Sequence, residues 1–365
     1  MVNKTLRPGL APVRTWRTVG VCLALVVAIS VLMMLPAYLD GISVFWLSGI
    51  LISMLFATSY HLLLGTTGLL SFGHAAHFGI GAYVAGIAYR EGQGFLAMLL
   101  ICIVISLAAS AVLGFLTLRA TGVQFAILTL ALSMVLHQTT FIFREFTGGD
   151  DGIPALSPPP LEFFGAEINL MIPDEFFRVL VVVVLLGLAF LYVIDKSSLG
   201  HTLRAIRDDP IRSQYLGFRP LRYRMIAFIL SGTVAGIAGA MFVTLNGIVT
   251  PISFYWTTSS LPLIMVLLGG MRSFWGAIIG AVVYEGLMYL TADVIHGVNI
   301  YLGLLILTVV LFMPKGIVGI RDPLHKLAQK LRDRYGQDSS HRAKQPPSRA
   351  VEDAASDLKG ATHVH

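Results

Sequence analysis

Two histidines, His74 and His77, have the spacing that could most readily support chemistry. They lie three residues apart in an otherwise apolar stretch, so both imidazoles would share one face of a helix. Such a pair could bind a metal ion or relay a proton, but neither a carboxylate nor a thiol accompanies it, and we predict no metal site. Ser71, Gly73 and His74 instead indicate a polar break in a helix that shapes or gates a pathway, with close helix packing as the alternative.

Glu285 is the only carboxylate well inside an apolar segment. A charged, unpaired carboxylate in the middle of a membrane costs roughly 3 kcal/mol, so we expect this side chain to be paired, neutral or facing water. We predict that it faces a polar cavity at the interface with a second membrane subunit. A proton-driven carrier usually needs several buried acids and bases, and one glutamate is weak support for that mechanism.

Motifs for nucleotide binding and hydrolysis are absent from the sequence. The chain contains no G-x-x-x-x-G-K-[ST] phosphate loop, no H-E-x-x-H and no G-x-S-x-G. We therefore expect no enzyme activity and no cofactor, and any energy for transport would come from a partner. A stand-alone secondary transporter or a channel is the first alternative. An integral-membrane enzyme or sensor is the second, but it would need a catalytic cluster or a large soluble domain.

The composition indicates the elements that carry these residues. Of 365 residues, 56 % are hydrophobic and only 13 % are charged, whereas about a quarter is usual in soluble domains. We predict an all-α integral membrane protein with about ten transmembrane helices, since each spanning helix needs about 20 apolar residues. The apolar segments are 19–37, 42–64, 70–89, 95–118, 123–143, 177–194, 223–246, 257–270, 274–292 and 299–313.

The distribution of lysine and arginine predicts the orientation of these helices. With both termini in the cytoplasm, every lysine and arginine except Arg90, Arg144 and Arg178 lies on the cytoplasmic side, as the positive-inside rule requires. The net charge of +6 therefore marks the inner membrane surface and not a nucleic-acid site. The loop 144–177 is acidic and is predicted to be periplasmic.

The two ends of the chain flank a predicted transmembrane domain, 19–315. Residues 1–18 form a short basic cytoplasmic N-terminus, and the first segment is expected to be a retained helix and not a cleaved signal peptide. Residues 316–335 predict a basic amphipathic helix on the inner leaflet. Residues 336–365 are polar without apolar periodicity, and we expect them to be disordered.

The cytoplasmic loop 195–222 is the most informative polar stretch. We predict one helix up to about Asp209 and a second from Pro210, where proline is well placed at a first helical position. A helix with exposed charges and an apolar edge suits docking into a groove of another protein, whereas the alternative is a solvated connection. The partial apolar stripe consists of Leu203, Ile206, Ile211 and Tyr215.

Five sequence blocks resemble one family in order. The stretch Gly65–Tyr83, reading GTTGLLSFGHAAHFGIGAY, is similar to the signature of LivM-type permeases, the membrane subunits of branched-chain amino acid ABC importers. Residues 147–153 resemble that family's external T-G-G-x-D-G-[LI] loop, and 204–217 its cytoplasmic coupling segment. Residues 265–277 and 314–319 resemble its last motifs, so the resemblance covers roughly residues 45–320.

The resemblance implies partners, a location and functional residues. Such a subunit of the bacterial inner membrane would pair with a second homologous permease, two cytoplasmic ATPases and a periplasmic solute-binding protein. The implied ATPase-coupling residues are Arg204, Ala205, Ile206, Arg207, Asp208, Asp209, Leu216 and Gly217. The pathway or gating candidates are Ser71, Phe72, Gly73, His74, His77 and Tyr83, together with Glu285, which is a candidate because of its place in an apolar span and not because of the resemblance. The implied external loop residues are Thr147, Gly148, Gly149, Asp151 and Gly152.

Several positions differ from the family's usual residues, and they bear on the substrate. Leu69 stands where glutamine is common, His77 where an aromatic residue is common, and Glu285 is not a usual feature. Pro210, Arg272 and Asp150 also depart from the pattern. The resemblance implies transport of hydrophobic, branched-chain amino acids, with urea or short amides as the alternative in the same class.

Overall fold

The structure is a computed structural model that describes residues 30, 32–154, 157–163, 166–291, 303 and 316–320. The chain divides into two compact units, Met1–Val318 and Gly319–His365, and all the elements from Leu35 to Thr291 belong to the first. The predicted N-terminus 1–18, the tenth segment 299–313 except for one residue, and the tail beyond 320 lie outside the described residues. So does most of the first segment, 19–37.

The described part of the chain is almost entirely helical. A π-helical segment, Leu62–Thr67, extends the helix Gly41–His61, and 3-10 turns occupy Leu35–Tyr38, Pro251–Phe254 and Ile317–Ile320. A short antiparallel hairpin, β1 (Leu161–Phe163) and β2 (Ala166–Ile168), pairs Leu161 with Ile168. The helices are α1 (Gly41–His61), α2 (His74–Arg90), α3 (Phe95–Thr117), α4 (Val123–Ile142), α5 (Arg144–Thr147), α6 (Pro173–Lys196), α7 (Ser198–Asp208), α8 (Pro210–Tyr215), α9 (Pro220–Asn246), α10 (Trp256–Gly269) and α11 (Phe274–Thr291).

The eight apolar segments between residues 42 and 292 all form helices, within a few residues of the predicted bounds. Within the described residues, five helices are long and apolar enough to cross a membrane. A sixth span results if α10 and α11, bent by 113° at their junction, are counted as one broken span or re-entrant loop. The chain is therefore a helical, multi-pass membrane protein, and the finer count of ten spans stays a prediction.

Helix α9 is the centre of the bundle, because glycines let α2 and α3 approach it closely. A Cβ atom at Gly81 of α2 would collide with the backbone of Gly236 in α9, and one at Gly236 would collide with Ser106 of α3. Gly239 faces the Phe78 carbonyl in the same way. In lipid there is no hydrophobic driving force between helices, and small residues let the backbones come close enough for van der Waals packing to hold them together. The glycine content of the sequence therefore positions the three helices that surround the histidines.

Candidate functional site

The segment after α6 folds as the two helices that the sequence predicts. The Ser197 side chain accepts a hydrogen bond from the Gly200 amide at 3.5 Å and caps α7. The Asp209 carboxylate accepts one from the Arg212 amide at 2.9 Å and caps α8, whose first residue is Pro210. Both caps satisfy amides that a helix start otherwise leaves unpaired.

The predicted apolar stripe of this segment is wrong as a single docking edge. Leu203 and Ile206 are fully buried against the membrane helices, whereas Ile211 and Tyr215 are 65 % and 87 % exposed. Ile206 therefore cannot contact a partner directly, although it is one of the predicted coupling residues. Leu216, at 71 % exposure, extends the exposed apolar surface instead. The reason is that α7 packs onto the bundle and only α8 with its following turn projects from it.

An ion pair holds α7 against the end of α6. Asp195 is buried, and its Oδ1 accepts a hydrogen bond from Arg204 Nη1 at 2.7 Å. Arg204 Nη2 also donates to the Asp195 carbonyl at 2.8 Å, and Thr66 Oγ1 lies 3.4 Å from the same Oδ1. Lys196 Nζ is 3.3 Å from the second oxygen. Asp195 and Thr66 are not among the site residues predicted from the sequence, since neither belongs to a coupling motif.

Arg207 attaches α7 to the π-helical segment. Its Nη1 donates to the Gly65 carbonyl, and its Nε and Nη2 donate to the neighbouring Asp208 at 3.1 and 3.0 Å. Gly68 ends the π-helical segment with a positive φ of 73°, and a Cβ there would lie 2.6 Å from Arg207 Cγ. Single-turn π segments inside α-helices occur frequently at functional sites. Arg207 of the predicted coupling set therefore contacts the segment that continues α1, whereas Arg204 binds Asp195 at the end of α6.

The predicted gating residues at the start of α2 lie in helix–helix contacts. His74 Nε2 is 2.9 Å from Ser59 Oγ, and His77 Nδ1 is 2.9 Å from Ser110 Oγ. Both imidazoles are almost fully buried, and the His74 ring stacks on Phe56 with centroids 5.3 Å apart. These contacts join α2 to α1 and α3, as the packing alternative expects.

The neighbours of this pair are also engaged in packing. Tyr60 donates to the Ser71 carbonyl at 2.9 Å, and a Cβ at Gly73 would collide with the Thr129 carbonyl. Phe72 is half-buried, and its amide donates to Thr129 Oγ1 at 3.2 Å. Tyr83 stacks on Phe254 at 5.3 Å. Leu69 is buried in an apolar cluster, so the position that departs from the family pattern faces the interior of this chain.

The loop 147–153, which the sequence predicts to be external, owes its shape to its glycines. Gly148, Gly149 and Gly152 have φ values of 76°, 63° and 70°, which residues other than glycine rarely adopt. The loop pairs with the segment after α9, where the Ile153 amide donates to the Val249 carbonyl at 2.9 Å. A Cβ at Gly152 would collide with that carbonyl. Thr147 Oγ1 donates to the Thr140 and Phe143 carbonyls at 2.6 and 2.9 Å, and Asp151 is exposed.

Glu285 lines a cavity of about 380 Å³, within the range of small-molecule pockets. The cavity lies between α1, α2, α9, α10 and α11, beside the Pro251–Phe254 turn. Ser53 of α1 donates to Glu285 Oε1 at 2.7 Å. Glu285 therefore lines a cavity within this chain, whereas the predicted polar cavity at an interface with a second subunit stays a prediction. The cavity wall is mostly apolar and includes the aromatic side chains Phe45, Trp46, Phe56, Phe78 and Phe242.

Comparison with known proteins identifies the family of the chain. Residues 42–314 match the family of branched-chain amino acid transport system permease components. The LivM permease of the high-affinity branched-chain amino acid transport system of Salmonella typhimurium is 30 % identical over 303 residues, covering 76 % of this chain and 70 % of the relative. The BraD permease of Pseudomonas aeruginosa is 25 % identical over 282 residues, covering 73 % of this chain and 91 % of BraD.

A more distant relative is named for a different cargo. The fructose import permease FruF of Bifidobacterium longum is 27 % identical over 255 residues, covering 65 % of this chain and 68 % of FruF. No solved structure is significantly similar to the chain. Because the family match spans nearly all of the described helices, and the relatives share most of the chain's length, the protein belongs to the branched-chain amino acid transport permease family.

Proposed function

We propose that the chain is a membrane-spanning permease subunit that carries branched-chain, hydrophobic amino acids into the cell as part of an ABC importer. The observation that supports this most strongly is the family match over residues 42–314, together with a relative of that named function at 30 % identity. The size and mainly apolar wall of the cavity suit a small aliphatic solute.

The proposed assembly contains a second homologous permease, two cytoplasmic ATPases and a periplasmic solute-binding protein. It lies in the bacterial inner membrane with both termini of this chain in the cytoplasm, as the distribution of lysine and arginine supports. We propose ten spans, of which α10 and α11 are two. Met271, between them, lies beside Gly65 at one end of α1, and Tyr289 lies beside Trp46, 5.4 Å away, near the other end.

The coupling mechanism begins at the exposed apolar surface of α8. A partner ATPase contacts Ile211, Tyr215 and Leu216, which no other part of the described chain covers. When ATP binding moves that ATPase, the movement passes through α7 to two sites. Arg204 carries it to Asp195, to which it is bound, and Arg207 carries it to the π-helical segment through Gly65. In this mechanism Arg204 and Arg207 bind partners within this chain, and α8 makes the contact with the ATPase.

The movement then reaches the cavity through a continuous element. The π-helical segment and α1 form one helix of 27 residues, Gly41–Thr67, and Ser53 and Trp46 of that helix line the cavity. A change in how Leu62–Thr67 packs therefore changes the position of the cavity wall. Coupling carried by packed side chains and rigid helices in this way is a physical route that variants can test.

Uptake by the reconstituted complex tests the function. The chain would be co-expressed with its neighbouring genes and placed in proteoliposomes with ATP inside and the solute-binding protein outside. We expect ATP-dependent uptake of radiolabelled leucine and none of fructose or urea. ATP-dependent uptake of fructose or urea would keep the assembly and overturn the substrate. Uptake that is indifferent to ATP, with no ATPase co-purifying, would indicate a channel or secondary transporter.

A variant of the exposed surface tests the coupling. Replacing Tyr215 and Leu216 together by alanine should abolish ATP-dependent uptake and release the ATPases on purification, while the chain still inserts and folds. Leu100→Ala is the matched control, because Leu100 is an apolar side chain on α3 with a similar exposure of 64 %. Normal uptake by the double variant would contradict the coupling role of α8.

A further inference from the structure

The cavity that contains Glu285 has an unbalanced charge. Among the described residues that line it, Glu285 is the one charged side chain, and none is lysine, arginine or histidine. The other polar side chains are Ser53, Asn246, Thr250, Ser253 and Thr258, all of which are neutral. A carboxylate in such surroundings is costly unless a cation or a proton accompanies it.

The carboxylate is also held in one position. Ser53 Oγ donates to Oε1 at 2.7 Å across the α1–α11 contact. Within the part of the chain that the structure describes, Oε2 accepts no hydrogen bond, and Glu285 is half-buried at the cavity wall. One carboxylate oxygen is therefore bound by α1, and the other is free of hydrogen bonds among the described residues.

An ammonium group would supply the positive charge that the described cavity wall lacks. It carries one positive charge and three donors, and charged hydrogen bonds to carboxylates are roughly twice as strong as neutral ones. The aromatic walls around it, such as Phe56, Phe78 and Phe242, offer a surface for an aliphatic side chain. A zwitterionic aliphatic amino acid matches both parts, whereas a sugar or urea supplies no cation.

We propose that Glu285 binds the α-ammonium group of the transported amino acid inside the membrane, with Ser53 as the residue that positions the carboxylate. This rests on the proposed function, and it adds a specificity site within the permease itself. The complex thus selects its solute a second time, after the solute-binding protein has delivered it. Selection by charge also favours amino acids over neutral solutes of similar size.

The test is equilibrium binding to the permease–ATPase complex in lipid nanodiscs without the solute-binding protein, since that protein would itself choose among ligands. The probes are leucine, leucinol, which keeps the ammonium and lacks the carboxylate, and 2-hydroxy-4-methylpentanoate, in which a hydroxyl replaces the ammonium. The wild-type complex should bind leucine and leucinol at least tenfold more tightly than the hydroxy acid.

Glu285→Gln keeps the size of the side chain and an oxygen that can accept from Ser53, so the fold should persist. We expect this variant to lose the preference, with similar affinities for leucine and the hydroxy acid, and Ser53→Ala to lose part of it. Glu145→Gln, in the short helix α5, is the control for loss of a carboxylate outside the cavity and should keep the full ratio.

Three results would overturn the proposal. The same leucine preference in Glu285→Gln would mean that the carboxylate is neutral and structural. Loss of the second permease on purification with an unchanged preference would mean that Glu285 pairs with that subunit. Absence of leucine binding to the wild type would also overturn it. In each case the proposed function stands if the wild-type complex still takes up leucine with ATP. If that uptake is absent, the proposed function fails as well.

Discussion

The Asp195–Arg204 pair provides a quantitative test of how α7 is held on the membrane helices. Arg204→Ala removes two hydrogen bonds, of 2.7 and 2.8 Å, from the end of α6. A hydrogen bond to a charged group contributes about 1.5–3 kcal/mol, and full loss of a buried pair about 3–5 kcal/mol. The Arg204 side chain is 28 % exposed, and Lys196 remains 3.3 Å from Asp195, so water and this lysine reduce the loss. We therefore expect a loss near the lower limit, about 2 kcal/mol.

Hydrogen–deuterium exchange of the α7 amides in nanodiscs measures this loss directly, because their exchange reports local opening. A loss of about 2 kcal/mol corresponds to roughly 30-fold faster exchange. Asp195→Asn should have a similar effect, and the double variant should be little worse than either single one, because each removes the same contact. Exchange of the α6 amides should change less than that of the α7 amides, because the apolar packing of α6 is retained.

The exposed pair between Asp209 and Arg212 is the internal control. Arg212 Nε lies 3.5 Å from Asp209 Oδ2, and the side chains of Asp209 and Arg212 are 44 % and 80 % exposed. The coupling energy of such a pair is about 0.5 kcal/mol or less, so Asp209→Asn and Arg212→Ala should change exchange by less than about threefold. Additive effects of Asp195→Asn and Arg204→Ala, or exchange within twofold of the wild type, would refute the docking role of the pair.

The other predictions concern glycines at close contacts. Gly68→Ala should lower the melting temperature in detergent and reduce ATP-dependent uptake, because the φ of 73° costs on the order of 1–2 kcal/mol and the new Cβ meets a side chain of α7. Gly92→Ala has the same φ cost at 72° with open space around it, and it should affect stability less; equal losses would contradict the contact. Gly81→Ala should separate α2 from α9 at Gly236 and lower the yield of monodisperse protein, whereas Gly286→Ala, with nothing within 4 Å, should not. Equal yields of these two variants would argue against close packing at that crossing.

Local patterns in the sequence predicted much of the fold. Seven apolar runs of about 20 residues and one shorter run, 257–270, predicted eight of the described helices, because a chain in lipid must satisfy its backbone hydrogen bonds within each segment. The division of the segment after α6 at Asp209 and Pro210 followed from proline and capping chemistry, which act over three or four residues.

Local patterns failed where distant residues meet. The π-helical segment has no distinct composition, so no local pattern predicts that α1 continues through Leu62–Thr67 in that form. The apolar stripe of α7 and α8 looked continuous, but packing on the bundle buried Leu203 and Ile206 and left Ile211 and Tyr215 exposed. Hydrophobicity predicts that a side chain seeks an apolar surface and does not say whether that surface belongs to this chain or to a partner.

The candidate site shows the same division. The sequence by itself determined that Glu285 would sit in an apolar span and need compensation, because the cost of a charge in lipid depends on residue type and depth alone. Only the tertiary structure decided that Ser53, 232 residues away, would hold its carboxylate, and that Arg207 would bind Gly65 across 142 residues. Such contacts depend on how whole helices cross, and helix crossing is set by the packing of many small residues at once.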